Sequence, residues 1–191
     1  YRSHSFPTRR SSDLTAGWMT TAALCKTFGD WDITIIEGGE SIGVGESTTP
    51  HINQYLKYME IDDKTFLQEA KATYKSSSRF QDFSKVGEVF HYPNGQSIRA
   101  DISYYEWMYA KAMGHEVPPF AELFMPFVTV AEQGKLPLNH NLISPYQIEK
   151  DRSFHIDASS FCTYLRKYCD NATVISDKVK SVKYKDGKIH H

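Results

Sequence analysis

Between residues 33 and 52 the chain reads ITIIEGGESIGVGESTTPHI, and this stretch restricts the fold more than any other. An apolar run ends on an acid, Glu37; four glycines then fall within eight residues, and a second acid, Glu46, precedes Ser-Thr-Thr-Pro. A short Ile/Thr run of this kind, bounded by glycines, is the pattern of a buried parallel strand. Upstream, TAGWMTTAALCKTFGDW places Ala16, Met19, Ala22, Ala23 and Phe28 on roughly one helical face, with Gly29 as a C-cap. A helix followed by a buried strand that ends on an acid is half of a dinucleotide-binding βαβ unit. In that unit glycines turn the backbone against a pyrophosphate, and the acid hydrogen-bonds a ribose. Gly17 stands at the third glycine position and Glu37 lies 20 residues beyond it, while Leu14 and Ser12 hold the other two glycine positions. The expectation is an α/β fold, a partial Rossmann-like domain whose first strand and phosphate turn are missing. On this pattern alone, a generic α/β unit with a solvated strand-end acid fits equally well.

Composition removes some classes of function. With 191 residues the chain suffices for one domain or part of a larger one, and a net charge of −1 gives no global pull toward nucleic acid or membrane. No run approaches the roughly 18 apolar residues a membrane helix requires. Cys25, Cys162 and Cys169 have no metal-ligand spacing and read as reduced thiols of a cytoplasmic protein. The expectations are no metal, no nucleic acid and no membrane.

Residues 1–14, YRSHSFPTRRSSDL, share none of the later patterning. A transit peptide, Arg- and Ser-rich and acid-poor, is one reading, and a basic arm another. Translated sequencing-adapter read-through accounts for more, so the segment is expected to be non-native, with residues 15–191 as the domain.

Further along, apolar residues at Ile52, Tyr55, Leu56 and Met59, then at Phe66, Ala70 and Tyr74, predict two helices broken at EIDD, where an Asp caps the second. Ser47 or Thr48 is the expected N-cap of the first, with Pro50 in its first turn. Lys75 falls at the end of the second helical pattern, where the helix dipole favours a cation. EVFHYPNGQSI reads as a strand, a turn at Pro93-Asn94-Gly95 and a second strand. Residues roughly 86–150 form a helical and β-hairpin insertion, rich in Tyr, Phe, Met and Pro. In FHIDASSFCTYLRKY, Asp157 or Ser159 caps a helix carrying Phe161, Leu165 and Tyr168, and His155 reads as structural. NATVISDKVKSVKYKDGKI gives a strand and a hairpin that add to the sheet.

TAGWM, IIEGGESIGVGESTTP and ATYKSSSRF, in this order, resemble the flavin-dependent tryptophan halogenases, closely over residues 15–52 and more loosely to about residue 189. The resemblance implies that the partial Rossmann-like domain binds FAD. Thr15, Ala16 and Gly17 would then open the helix at the pyrophosphate, and Glu37 would hold the ribose. Ile42, Gly43, Val44, Gly45 and Ser47 would form a strap along the isoalloxazine, steadied by Glu46, and Val179 would touch the adenine. In YKSSSRF, Lys75 matches the family's catalytic lysine. There reduced flavin and O2 oxidise halide to hypohalous acid, and the lysine delivers the halogen to the substrate ring. Arg79 stands where the family carries a second lysine. His91 matches a histidine lining the indole pocket, although it reads equally well as an ordinary strand residue. Pro93 replaces an aromatic frequent in the tryptophan-specific members, which leaves free tryptophan open as the substrate. The resemblance also implies FADH2 from a separate flavin reductase, halide and O2 as co-substrates, and an aromatic small molecule or peptide as acceptor. An aromatic-hydroxylating FAD monooxygenase and a non-catalytic α/β binding module are the alternatives.

Overall fold

A computed structural model describes residues 14–38, 45–95, 104–125, 127–135, 148–185 and 188–190. The elements in order are α1 (Leu14–Thr27), β1 (Ile33–Glu37), β2 (Glu46–Ser47), α2 (Ile52–Met59), α3 (Asp63–Glu69), β3 (Thr73–Lys75), β4 (Ser77–Gln81) and β5 (Val89–Pro93). They continue with α4 (Tyr104–Ala112), α5 (Phe120–Phe124), α6 (Phe127–Glu132), α7 (Ile148–Asp151), β6 (Ser153–Ile156), α8 (Ala158–Arg166), β7 (Ala172–Ser176), β8 (Lys183–Lys185) and β9 (Lys188–His190). The chain divides into two compact units: residues up to Glu46, Tyr58–Ala72 and from Ile156 onward make the first, and Ser47–Lys57 with Thr73–His155 make the second.

In the first unit, β1 and β7 pair in parallel with Ile33 opposite Ala172 and Glu37 opposite Ser176. The apolar run of β1 explains its place: Ile33 and Ile35 are buried on one side of the pleat. Helix α1 packs on β1 and on α8, and α3 also contacts α8. Trp18, Ala22, Phe66, Phe161 and Leu165 are at most 1% exposed, and Phe66 meets Phe161 edge-on at 5.2 Å. The Asp157 side chain caps α8 by accepting from the Ser160 amide at 2.7 Å. Gly38 is required by packing, because a Cβ there would overlap the Asp177 carbonyl oxygen and lie 2.7 Å from its carbon. The hairpin β8–β9 forms its own two-stranded sheet and, among the described residues, does not extend the β1–β7 pair.

The first unit also corrects the helix expected to run to Tyr74. Asp62 caps α3, accepting from the Thr65 amide at 3.0 Å and its hydroxyl at 2.6 Å, as the sequence predicts. The helix nevertheless stops at Glu69 because Lys71 takes a left-handed φ of 46° and the Ala72 amide bonds back to the Leu67 carbonyl at 2.9 Å. That six-to-one bond is the Schellman termination, normally made at a glycine.

In the second unit, β3 therefore carries Tyr74 and Lys75 as strand residues, antiparallel to β6 with Lys75 opposite Ser153. Thr48 fastens the other edge of β6: its amide donates to the Phe154 carbonyl at 2.8 Å and its hydroxyl accepts from the Phe154 amide at 2.9 Å. Neither Ser47 nor Thr48 caps α2; Ser47 lies in β2, and the helix opens with the Ile52 amide on the Thr49 carbonyl. The strand expected after the Pro93–Gly95 turn lies outside the described residues. The partner of β5 is β4, with Arg79 opposite His91. Helices α5 and α6 enclose a small core of Phe124, Met125, Phe127 and Val128, on which Trp107 and Phe120 pack.

Candidate functional site

Two groups of predicted site residues are placed by the structure, one in each unit. In the first unit they gather at the start of α1 and the end of β1. Thr15 is buried, and its hydroxyl donates to the Glu46 carboxylate at 2.9 Å. Glu46 thus bonds to the opening turn of α1 through its side chain. An anion beside the first turn is favoured by the orphan N–H groups there. Ala16 is exposed, and a Cβ built on Gly17 meets nothing within 4 Å. Packing among the described residues does not explain that glycine. Open space over the backbone at a helix start suits close approach of a phosphate-bearing group.

Glu37 is engaged. The Arg166 guanidinium holds both its oxygens, one at 2.6 Å, and lies 4.5 Å over the Trp18 ring. Each carboxylate oxygen has further acceptor capacity, so a ribose hydroxyl can bond Glu37 alongside the arginine. Gly45 is exposed, with a Cβ there only in van der Waals contact with the Ile156 carbonyl among the described residues, and Val179 is half-buried; Ser47, which belongs to the second unit, is exposed. Ile42, Gly43 and Val44 lie outside the described residues. These features fit a dinucleotide cofactor at the α1–β1 edge. The three cysteines are free, buried thiols, and burial pushes Cys169 up to about 12.

In the second unit a cavity of about 590 Å³ is lined by Lys75, Arg79, His91, Glu132, Lys135 and His155, among others. The strand β3 aims Lys75 here. Its Nζ donates to the Thr48 carbonyl at 3.3 Å, and burial holds the amine below its ordinary pKa. A buried ammonium is disfavoured, so more of this lysine is the neutral, nucleophilic amine. The turn after β5 braces the strand: buried Asn94 donates to the Lys75 carbonyl at 3.0 Å and to Ser153 Oγ at 2.7 Å.

His91 is fixed at both ring nitrogens. Nε2 lies 2.7 Å from Glu132 Oε1 and Nδ1 lies 3.0 Å from Ser77 Oγ. A carboxylate only accepts, so Nε2 carries the proton toward Glu132 and, in the neutral ring, Nδ1 accepts from Ser77. Arg79 Nε stands 3.7 Å from the same Glu132 oxygen. The sequence reading singled out Lys75, Arg79 and His91, and the structure brings all three to one cavity. It missed Glu132 and Lys135, which arrive from the end of α6, and it read His155 as structural although this residue lines the cavity. No spacing in the sequence links positions 75, 91 and 132; the pairing of β4 with β5 sets Arg79 opposite His91, and Glu132 reaches His91 from the end of α6. Among the described residues no group of three or more His, Cys, Asp and Glu could hold a metal ion. No helix among them is long and apolar enough to cross a membrane.

Residues 15–191 match the family model of the tryptophan halogenases. Over 90 residues the chain is 36% identical to the tryptophan 6-halogenase SttH of Streptomyces toxytricini, covering 46% of this chain and 17% of that protein. Its fold superposes on the apo structure of VirX1 with a TM-score of 0.76 and 31% identity, over 97% of this chain and 37% of the other. BrvH, a flavin-dependent halogenase from Brevundimonas sp. BAL3, superposes with a TM-score of 0.69 and 29% identity, over 92% of this chain and 36% of that one. The chain thus spans well under half the length of the proteins it matches, and its α/β fold is that of their Rossmann-like flavin-binding part.

Proposed function

The chain belongs to the tryptophan halogenase family, and from that membership we propose that its protein halogenates an aromatic substrate, with FAD held by the first unit and Lys75 acting in the second. The observation that carries the reading is the Lys75 amine, held at a cavity wall beside His91 with its pKa depressed by burial. FAD, delivered reduced by a separate flavin reductase, supplies with O2 the oxidising power that converts halide to hypohalous acid.

The chain's own residues do the rest. Thr15, Ala16 and Gly17 present the start of α1 to the pyrophosphate; Glu37 accepts from the ribose; Ile42, Gly43, Val44, Gly45 and Ser47 form the strap over the ring system; and Val179 borders the adenine. Neutral Lys75 takes halogen from hypohalous acid: an N–X bond forms, the X–O bond breaks, and the amine proton leaves with the hydroxide as water. The substrate ring then attacks the halogen, the N–X electron pair returns to nitrogen, and the ring proton restores the amine. An amine suits this transfer because it is both nucleophile and proton carrier. His91 lines the substrate cavity. Residues roughly 86–150 form the insertion on the substrate side, and the protein works in the cytoplasm.

The test uses the full-length protein with FAD, a flavin reductase, NADH, bromide or chloride, and a panel of indoles and phenols, read by mass spectrometry. Halogenated product that disappears in Lys75→Ala, while NADH oxidation and flavin binding persist, is the expected result. A hydroxylated product, or halogenation at the unchanged rate and ring position without Lys75, overturns the proposal.

A further inference from the structure

The side chains that line the Lys75 cavity carry a surplus of positive charge. Lys75, Arg79 and Lys135 line it against one described carboxylate, Glu132. With Lys75 in its neutral form and both histidines neutral, Arg79 and Lys135 against Glu132 leave the described wall a formal charge of +1. The single carboxylate already serves two donors, at 2.7 Å from His91 and 3.7 Å from Arg79. A ligand ammonium would have to compete with a guanidinium and an imidazole for that oxygen, with the Lys135 ammonium at the same wall. A ligand carboxylate meets the opposite situation, because Lys135 and Arg79 stand at the same wall. Tyr74, with Ala131 and Gly134, supplies an aromatic and small-residue surface for a ring beside them.

We propose that this cavity takes aromatic acids, flat rings that bear a carboxylate and no ammonium group. The proposal rests on the halogenase reading for its reaction, but the preference belongs to the cavity itself. A free amino acid presents both charges, so the cavity favours it less than the corresponding acid without the amine.

The experiment is calorimetric titration of the full-length protein without flavin, halide or reductase, using indole-3-acetate, indole and tryptamine at low and high salt. Indole-3-acetate is expected to bind at least about tenfold more tightly than tryptamine, with the gap narrowing in salt as electrostatic contributions are screened. Lys135→Glu should remove most of that gap, whereas Glu132→Gln should widen it, with uncharged indole as the reference in each variant. Tryptamine binding as tightly as indole-3-acetate, or a gap that Lys135→Glu leaves intact, overturns the proposal. Acetate or bromide displacing indole-3-acetate with equal affinity also overturns it, reducing the cavity to a simple anion site. The titration contains no turnover. A protein that shows the preference yet yields no halogenated product therefore counts against the reaction and not against the cavity.

Discussion

Glu37 and Arg166 form a two-point ion pair between the end of β1 and the end of α8, and the guanidinium of that pair also covers the indole of Trp18. The acid that terminates the strand is thereby held in one rotamer. Both side chains keep some exposure, so the pair adds little to stability, on the order of 1 kcal/mol or less. Its consequence lies in orientation.

Glu37→Ala in the full-length protein should weaken FAD binding by about tenfold or more, through loss of the ribose acceptor. Arg166→Lys keeps the charge but loses the guanidinium plane that lies over Trp18, and should weaken binding by only about two- to fivefold. Fluorescence titration of FAD gives both values. Equal affinity in wild type and Glu37→Ala would show that the ribose is held elsewhere.

Gly17 and Gly38 contrast a glycine with no described neighbour over its Cα with one that packing requires. At Gly38 a Cβ meets the backbone of Asp177 and Lys178, which cannot move aside without parting β1 from β7. Gly38→Ala should cost about 2–4 kcal/mol in urea unfolding, the range of severe overpacking. Gly17 faces open space inside α1, and alanine favours helix by up to about 1 kcal/mol. Gly17→Ala should therefore leave the fold equally or more stable while lowering FAD affinity. Unchanged affinity in that variant would mean that no cofactor approaches this backbone.

Thr48 links two segments far apart in sequence, and its hydroxyl is the acceptor for the Phe154 amide. Valine matches its shape without its oxygen. Thr48→Val should destabilise by about 1–3 kcal/mol, the cost of withdrawing a partner from a buried donor. Phe154 is completely buried, which puts the expectation in the upper half of that range. Chemical denaturation measures it, and a cost near zero would mean that water replaces the hydroxyl.

What the sequence revealed of this architecture depended on where the determining contacts lie. β1 was legible because burial selects its own Ile/Thr pattern, and the caps Asp62 and Asp157 because each acts within its own turn. The end of α3 was not. Phe66, Ala70 and Tyr74 keep helical spacing, and the residue that breaks the helix is a lysine in the left-handed region where a glycine would have announced the turn. Lys75 was consequently placed on a helix end, although its assignment by family resemblance did not depend on that. The cavity was only partly legible: Lys75, Arg79 and His91 share short motifs or adjacent strands. Glu132 ends, and Lys135 follows, a helix packed through the Phe124–Val128 core, which leaves no mark on their own positions.

Lys75 should leave its signature in the pH dependence of stability. Burial lowers its pKa from the ordinary 10.5, so in the folded protein the amine loses its proton before the unfolded chain does. Below the folded pKa both states are protonated, and the full cost of burying the charge is present. Between the folded pKa and 10.5 the unfolded chain binds more protons, so stability rises with pH, and above 10.5 the cost is gone. Lys75→Met removes the titrating group and serves as the reference. Relative to this variant, the wild type should be less stable at neutral pH, and the difference should shrink as pH climbs toward 10.5. Urea unfolding of both proteins across this range tests the sign directly. A difference that stays constant, or grows with rising pH, would show that the amine is not strained by burial and that its neutral form is not favoured at the cavity wall.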